Sequence, residues 1–239
     1  MNLVLIRCDR DLPTDGVRLV SSLLKRAGHT VRLIYLPDSH FRNHAEKSFE
    51  PLRQVLSNCD CVLFSVYSLR SHKSSLVSAF IRENFPSVRI IWGGPHCISA
   101  PELSLKHADA VCFGEADASV VEYLRQIQRG NETPTTGSVA YRHGGETVIN
   151  EPEPLNRDLD ALPFLDFDLS TQYILEDDLV PMSNGIVART CSGYPLGQPT
   201  LSFLTMRGCP HMCSYCNTCR FVAMYGSNSI RINKGSDQT

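Results

Sequence analysis

Arg89-Ile90-Ile91-Trp92-Gly93-Gly94-Pro95-His96 decides the fold. An apolar run of strand length ends in two glycines, and a proline then bars the strand from continuing. The pattern repeats on both sides. Leu3 to Ile6, Val31 to Leu36 and Cys61 to Val66 are strand-like runs before it, and Ala110 to Phe113 is a short one after it. Helical spacing fills the intervals. Val17 to Ala27 puts Leu19, Val20, Leu23 and Leu24 on one face and stops at Gly28. Phe49, Leu52, Val55 and Leu56 mark a second helix, Leu76 to Phe85 a third and Ala118 to Gln128 a last one. The run from Cys61 is uniformly apolar, as a strand covered on both faces should be. This strand–helix alternation predicts an α/β fold with a doubly wound parallel sheet.

Ligands of such sheets bind beyond the carboxyl ends of the strands, near the switch point. Four loops stand there: Cys8-Asp9-Arg10-Asp11-Leu12-Pro13-Thr14-Asp15-Gly16, Ser65-Val66-Tyr67-Ser68-Leu69, Gly93-Gly94-Pro95-His96 and Gly114-Glu115-Ala116-Asp117. In a flavodoxin-like (Rossmann-like) strand order all four line one rim. Glycines there let backbone approach a bulky ligand closely, and Ser65 and Ser68 leave room for a ligand tail. A plain tight strand-to-helix turn is the other reading of Gly93-Gly94. His72 and His96 read as loop histidines rather than ligands. A phospho-accepting receiver domain has this fold class but needs an aspartate where Ser65 stands. A dinucleotide site wants G-x-G-x-x-G after the first strand, and that loop has only Gly16.

A second signal lies near the C-terminus, in Arg207-Gly208-Cys209-Pro210-His211-Met212-Cys213-Ser214-Tyr215-Cys216. It follows Leu201 to Met206, which reads as a strand. C-x3-C-x2-C can put three thiolates around one small metal centre. A [4Fe–4S] cluster held so keeps one iron free. Cys219 adds a fourth thiol, so a tetrahedral zinc site at Cys209, Cys213, Cys216 and Cys219 is the competing reading.

The motif resembles that of the radical S-adenosylmethionine (radical SAM) superfamily. Tyr215 stands at the family's aromatic position before the third cysteine, and Arg207-Gly208 and Asn217 also match. The resemblance implies that Cys209, Cys213 and Cys216 ligate the cluster, that SAM binds its open iron and that Tyr215 packs near the adenine. The cluster's electron then cleaves SAM to a 5′-deoxyadenosyl radical. Residues 1 to about 130 resemble the cobalamin (B12)-binding domain that precedes many radical SAM barrels, through Gly93-Gly94-Pro95-His96 and Gly114-Glu115. That resemblance implies cobalamin contacts from Asp11, Gly16, Ser65, Ser68, Gly93, Gly94, Pro95, Gly114 and Glu115. One departure matters. Mutase-type domains carry D-x-H-x-x-G, whose histidine ligates cobalt. Asp11-Leu12-Pro13-Thr14-Asp15-Gly16 keeps the aspartate and glycine, but Pro13 has no lone pair to give.

Three segments follow: a cobalamin-binding-like domain over 1–132, a hairpin and proline-rich linker over 133–200, and the first strand and cluster loop of a radical SAM (β/α) barrel over 201–239. Ser138 to Arg142 and Glu146 to Ile149 flank the turn His143-Gly144-Gly145. Asp158-Leu159-Asp160-Ala161-Leu162-Pro163 resembles the family's lead into the barrel, and Asp166 and Asp168 read as solvated linker charges. A full barrel needs roughly 250 residues, so the chain is expected to be a fragment of a longer product whose residues 201–239 are poorly ordered alone.

A hydrophobic content of 42 % with 20 % charged residues is enough for a core. A net charge of −2 gives no reason to expect nucleic acid. No apolar run reaches the roughly 20 residues that span a bilayer. Cys61 and Cys112 sit inside apolar runs, so the ten cysteines do not read as a disulfide framework, and a reducing cytoplasmic compartment is expected. The function expected is cobalamin-linked radical SAM chemistry, such as methyl transfer or ring rearrangement, on a small molecule or cofactor precursor. The alternatives are a non-catalytic cobalamin-binding module and a zinc protein. The oligomeric state stays open.

Overall fold

The computed structural model describes residues 1–9, 15–37, 46–191, 206–211, 213–226 and 230–232. Its first half runs β1 (Asn2–Arg7), α1 (Asp15–Arg26), β2 (Thr30–Tyr35), a 3-10 turn (Glu46–Leu52) leading into α2 (Arg53–Leu56), β3 (Cys61–Ser65), α3 (Ser71–Asn84) and β4 (Arg89–Gly93). Then come α4 (Pro95–Ser99), α5 (Pro101–Ser104), β5 (Ala110–Cys112), α6 (Ala116–Gln128), β6 (Val139–His143) and β7 (Glu146–Ile149). The rest is β8 (Gln172–Leu175), β9 (Leu179–Pro181), α7 (Asn184–Cys191), β10 (Met206–Arg207), α8 (Thr218–Tyr225) and β11 (Arg231–Ile232).

One nine-stranded sheet has the order β7-β6-β5-β4-β3-β1-β2-β8-β9. The central five strands, β5-β4-β3-β1-β2, are parallel and in flavodoxin-like order, with the switch point between β1 and β3. Side chains alternate across the sheet, and both faces are apolar. Val4 and Ile6 join Val62, Phe64, Ile90 and Trp92 in one core cluster; Leu3 and Leu5 join Leu33, Leu63 and Ile91 in the other. Burying each such side chain contributes on the order of 1.5–3 kcal/mol. That is why these strands read as continuous apolar runs rather than alternating ones.

The expected second helix is mostly a 3-10 turn, because Pro51 has no amide hydrogen to donate. The proline-rich connection is also more tightly integrated than a linker. β6 pairs antiparallel with β5, and β8 pairs parallel with β2, so strands from this segment cover both edges of the parallel sheet. An uncovered edge would leave a row of backbone donors and acceptors unpaired. Asp166 is corrected from a solvated charge to a buried one. Its carboxylate accepts from Ser21 Oγ at 2.5 Å and pairs with Lys25 Nζ at 2.9 Å. Asp168 stays exposed.

Of the strand expected over Leu201 to Met206, residues 201–205 lie outside the described residues, and Met206 and Arg207 form β10, antiparallel to β11. Among the described residues no helix is long and apolar enough to cross a membrane.

Candidate functional site

The rim is centred on the switch point, and the residue that fills it is Arg7. Its side chain closes β1 and is only 5 % exposed. Nη1 donates to Ser65 Oγ at 3.3 Å, Nη2 pairs with Asp9 at 3.3 Å, and the guanidinium lies 4.3 Å from the Tyr67 ring centroid. The Nε–H is buried without a partner. A buried guanidinium is costly unless its charge and protons are matched, so an orphaned donor here stands out. Sequence reasoning passed over Arg7, although a charged residue closing an apolar strand at the switch point is a visible signal.

Beside it, the loops after β3 and β4 are joined through backbone. Val66 N donates to Gly93 O at 2.8 Å, and His96 N donates to Val66 O at 3.1 Å. Gly94 has φ +95°, and a Cβ there would stand 2.9 Å from both Val66 N and Val66 O. The room that this glycine leaves is therefore taken by the chain's own turn. Gly93 is less confined, its nearest neighbour to an added Cβ being 3.7 Å away. Ser68 Oγ lies 3.1 Å from His96 Nδ1. Burial, and then the nearby His107, push the His96 pKa down. Pro95 opens α4. Gly16 lies exposed in the first turn of α1 with open space beside it, and Asp11 falls outside the described residues.

At the end of β5 the rim meets the cysteine loop. Arg207 Nη1 lies 3.1 Å from Glu115 Oε2 and 2.6 Å from Asp117 Oδ2. Asn217 Nδ2 donates to Pro95 O at 2.5 Å, and its Oδ1 accepts from Ser99 Oγ. Tyr225 Oη lies 3.2 Å from Ser138 Oγ. Gly114 makes that last contact possible, since a Cβ on it would come within 2.7 Å of Tyr225 Oη.

Between these anchors the thiols are lightly engaged. Cys209 and Cys213 are half-buried and Cys216 is exposed. Cys216 N donates to Cys213 O at 3.0 Å, and Cys219 Sγ donates to the same carbonyl at 2.7 Å. Hydrogen bonding by the Thr218 hydroxyl, and then by its backbone, holds the Cys216 thiol below its ordinary pKa. Tyr215 is 91 % exposed. Among the described residues no three His, Cys, Asp or Glu side chains are gathered as a metal site.

The family model of the B12 binding domain matches residues 1–124, just over half of the 239. The chain belongs to the B12-binding domain family. The matched stretch of this B12-binding domain protein carries all four rim loops. Similar proteins share its continuation. It is 25 % identical over 213 residues to an uncharacterized methyltransferase, PH0819, of Pyrococcus horikoshii, covering 86 % of the chain and 40 % of that protein. It is 25 % identical over 223 residues to the anaerobic magnesium-protoporphyrin IX monomethyl ester cyclase of Synechocystis, covering 90 % and 40 %. It is 29 % identical over 163 residues to the cobalamin-dependent radical SAM methyltransferase TokK of Streptomyces tokunonensis, covering 66 % and 22 %. The B12-binding domain protein therefore spans 40 % of the length of the first two curated relatives. Among solved structures it shares its fold with OxsB bound to aqua-cobalamin and S-adenosylmethionine, at TM-score 0.64 and 17 % identity over 97 % of the chain and 30 % of OxsB. TsrM of Kitasatospora setae, with cobalamin and a [4Fe–4S] cluster, follows at 0.59 and 14 % over 91 % and 41 %.

Proposed function

We propose that this chain holds cobalamin on the rim of β1, β3, β4 and β5 and a [4Fe–4S] cluster at Cys209, Cys213 and Cys216. On this reading it carries the cofactor-holding part of a radical SAM activity on a small molecule, by methyl transfer or ring chemistry. The observation that carries the reading is the seating of the C-x3-C-x2-C loop on that rim, through Arg207 at one end and Asn217 at the other.

The residues fit both groups. Cobalamin's periphery is a ring of amide side chains, and the β1 and β3 ends offer the Ser65 and Ser68 hydroxyls and the unpartnered Nε–H of Arg7. Pro13 offers cobalt no nitrogen, so this loop would hold cobalamin without an imidazole beneath the metal. Three soft thiolates suit iron–sulfur chemistry, and Cys219, whose thiol is spent on the Cys213 carbonyl, is the natural one to stay out of the set. When bound, the cluster supplies the electron that cleaves SAM, and cobalamin supplies a methyl carrier. The chain's own work is to seat the loop, to keep Cys216 easily deprotonated for ligation through Thr218, and to hold the β3 and β4 loops rigid through Gly94 and Val66.

Anaerobic reconstitution with iron and sulfide, and incubation with hydroxocobalamin, test this. About four irons per chain are expected, lost in Cys213→Ala and kept in Cys219→Ser. Corrin absorption is expected to follow the protein through gel filtration. One zinc and no iron, abolished by Cys219→Ser, would overturn the cluster assignment.

A further inference from the structure

The cysteine loop is gripped outside its thiols. Arg207, two residues before Cys209, reaches back 90 positions to Asp117 and 92 to Glu115. All three side chains are largely buried, at 21 %, 10 % and 18 % exposure. Asn217, next to Cys216, is held by the Pro95 carbonyl and the Ser99 hydroxyl on α4. Tyr225, at the end of α8, meets Ser138 over Gly114, while Phe221 of the same helix is buried and packs on the Tyr225 ring at 4.7 Å. Each grip ties a residue outside the thiols to the rim loops or to a residue close beside them. None uses a cysteine.

We infer that Arg207, Asn217 and Tyr225 form a clasp that positions the cluster loop on the cobalamin rim, with Glu115 and Asp117 setting both its seat and the charge beside Cys209. The inference rests on the cofactor reading above and goes further, by assigning positioning residues and an electrostatic role. Arg207, Glu115 and Asp117 thus put both signs of charge within two residues of the first cysteine. A reduced cluster carries one more negative charge than an oxidised one. Neutralising a neighbouring carboxylate therefore raises the cluster's midpoint potential, and removing the arginine lowers it.

The two roles separate in one set of variants of the full chain. Hydrogen exchange of residues 213–226 reads the seat, and potentiometry of the reconstituted cluster reads the charge. Arg207→Met should speed exchange by about tenfold, because two largely buried carboxylates lose the arginine that ties the loop to them, and should lower the potential. Glu115→Gln should speed exchange less, since Asp117 still holds Arg207, and should raise the potential. Arg207→Asp combined with Asp117→Arg should restore slow exchange. Potentials moving the same way in Arg207→Met and Glu115→Gln, or exchange in Arg207→Met matching the parent, would overturn the clasp. Failure of the parent chain to take up iron would instead sink the cofactor reading. Exchange of the iron-free chain and of Gly114→Ala, which displaces Tyr225, still decides the seat: faster exchange of 213–226 supports the clasp, and unchanged exchange overturns it.

Discussion

Gly94 faces the backbone of Val66 with no room for a side chain, since an added Cβ at Gly94 would stand 2.9 Å from both the nitrogen and the oxygen of Val66. The contact locks the loop after β3 to the loop after β4, next to the switch point. Gly94→Ala meets two penalties, a φ of +95° and a backbone contact that must open. It is expected to destabilise the fold by about 2–3 kcal/mol. Gly93→Ala is the control, because its Cβ would meet nothing closer than 3.7 Å; about 1 kcal/mol or less is expected. Urea denaturation of the two variants side by side measures the contrast. Equal losses would show that the β3–β4 contact is not what demands glycine.

Asp166 and Asp168 look alike in sequence and differ in place. Asp166→Ala strips the acceptor from the fully buried Ser21 and one partner from Lys25. A cost of about 1–3 kcal/mol is expected. Asp168→Ala loses an exposed pair at 3.5 Å and a cap on Ser170, and should cost about 1 kcal/mol or less. Denaturant midpoints with unchanged slopes would confirm the ordering.

The parallel sheet was legible because its strands are apolar on both faces and its helices are not. Val4 with Ile6, and Leu3 with Leu5, face opposite cores, so no alternation blurred the run at β1. The rim loops followed from the strand order alone. What sequence left hidden was long-range pairing. Nothing near Gln172 says that β8 will cover the open edge of β2. Nothing near Asp117 says that its partner lies 90 residues away at Arg207. The motif displayed the thiols with Arg207 and Asn217 beside them, yet nothing in it says which residues of the first domain those two side chains will meet. Asp166 shows the same limit: a charge in a proline-rich stretch reads as solvated until Ser21 and Lys25 are folded against it.

Thiol chemistry should split the cysteines into two sets. Burial pushes Cys8 and Cys59 up to about 11 and Cys97 up to about 12, and raises Cys61 well above its ordinary value. Cys216 is exposed and shifted the other way by Thr218. The thiolate is the nucleophile. Iodoacetamide at pH 7.5 on the native, metal-free chain is therefore expected to label Cys216 first and the buried Cys8, Cys61 and Cys97 only after denaturation. Peptide mass spectrometry over time reads the order. Thr218→Val should slow labelling of Cys216 and leave the other thiols unchanged.

The same shifts shape stability against pH, from opposite sides. Burial lowers His29, His96 and His107 below 6.5 in the folded chain. Below that value the unfolded chain binds protons that the folded chain refuses, so stability is complete above about 6.5 and declines as pH falls. The lowered carboxylates, Glu122 and Asp168, act in the same direction only further down, below their ordinary values of 4.5 and 3.8. Raised thiols do the reverse. Cys8 and Cys59 start to ionise near 9.0 when unfolded but near 11 when folded, so stability is complete below 9 and lost as pH climbs toward 11. A plateau between about pH 6.5 and 9 is expected in urea midpoints taken under reductant. His96→Gln with His107→Gln should flatten the decline from 6.5 to 5, and Cys8→Ala the one above 9. An acid limb unchanged in the double histidine variant would mean that those rings are as accessible to protons folded as unfolded.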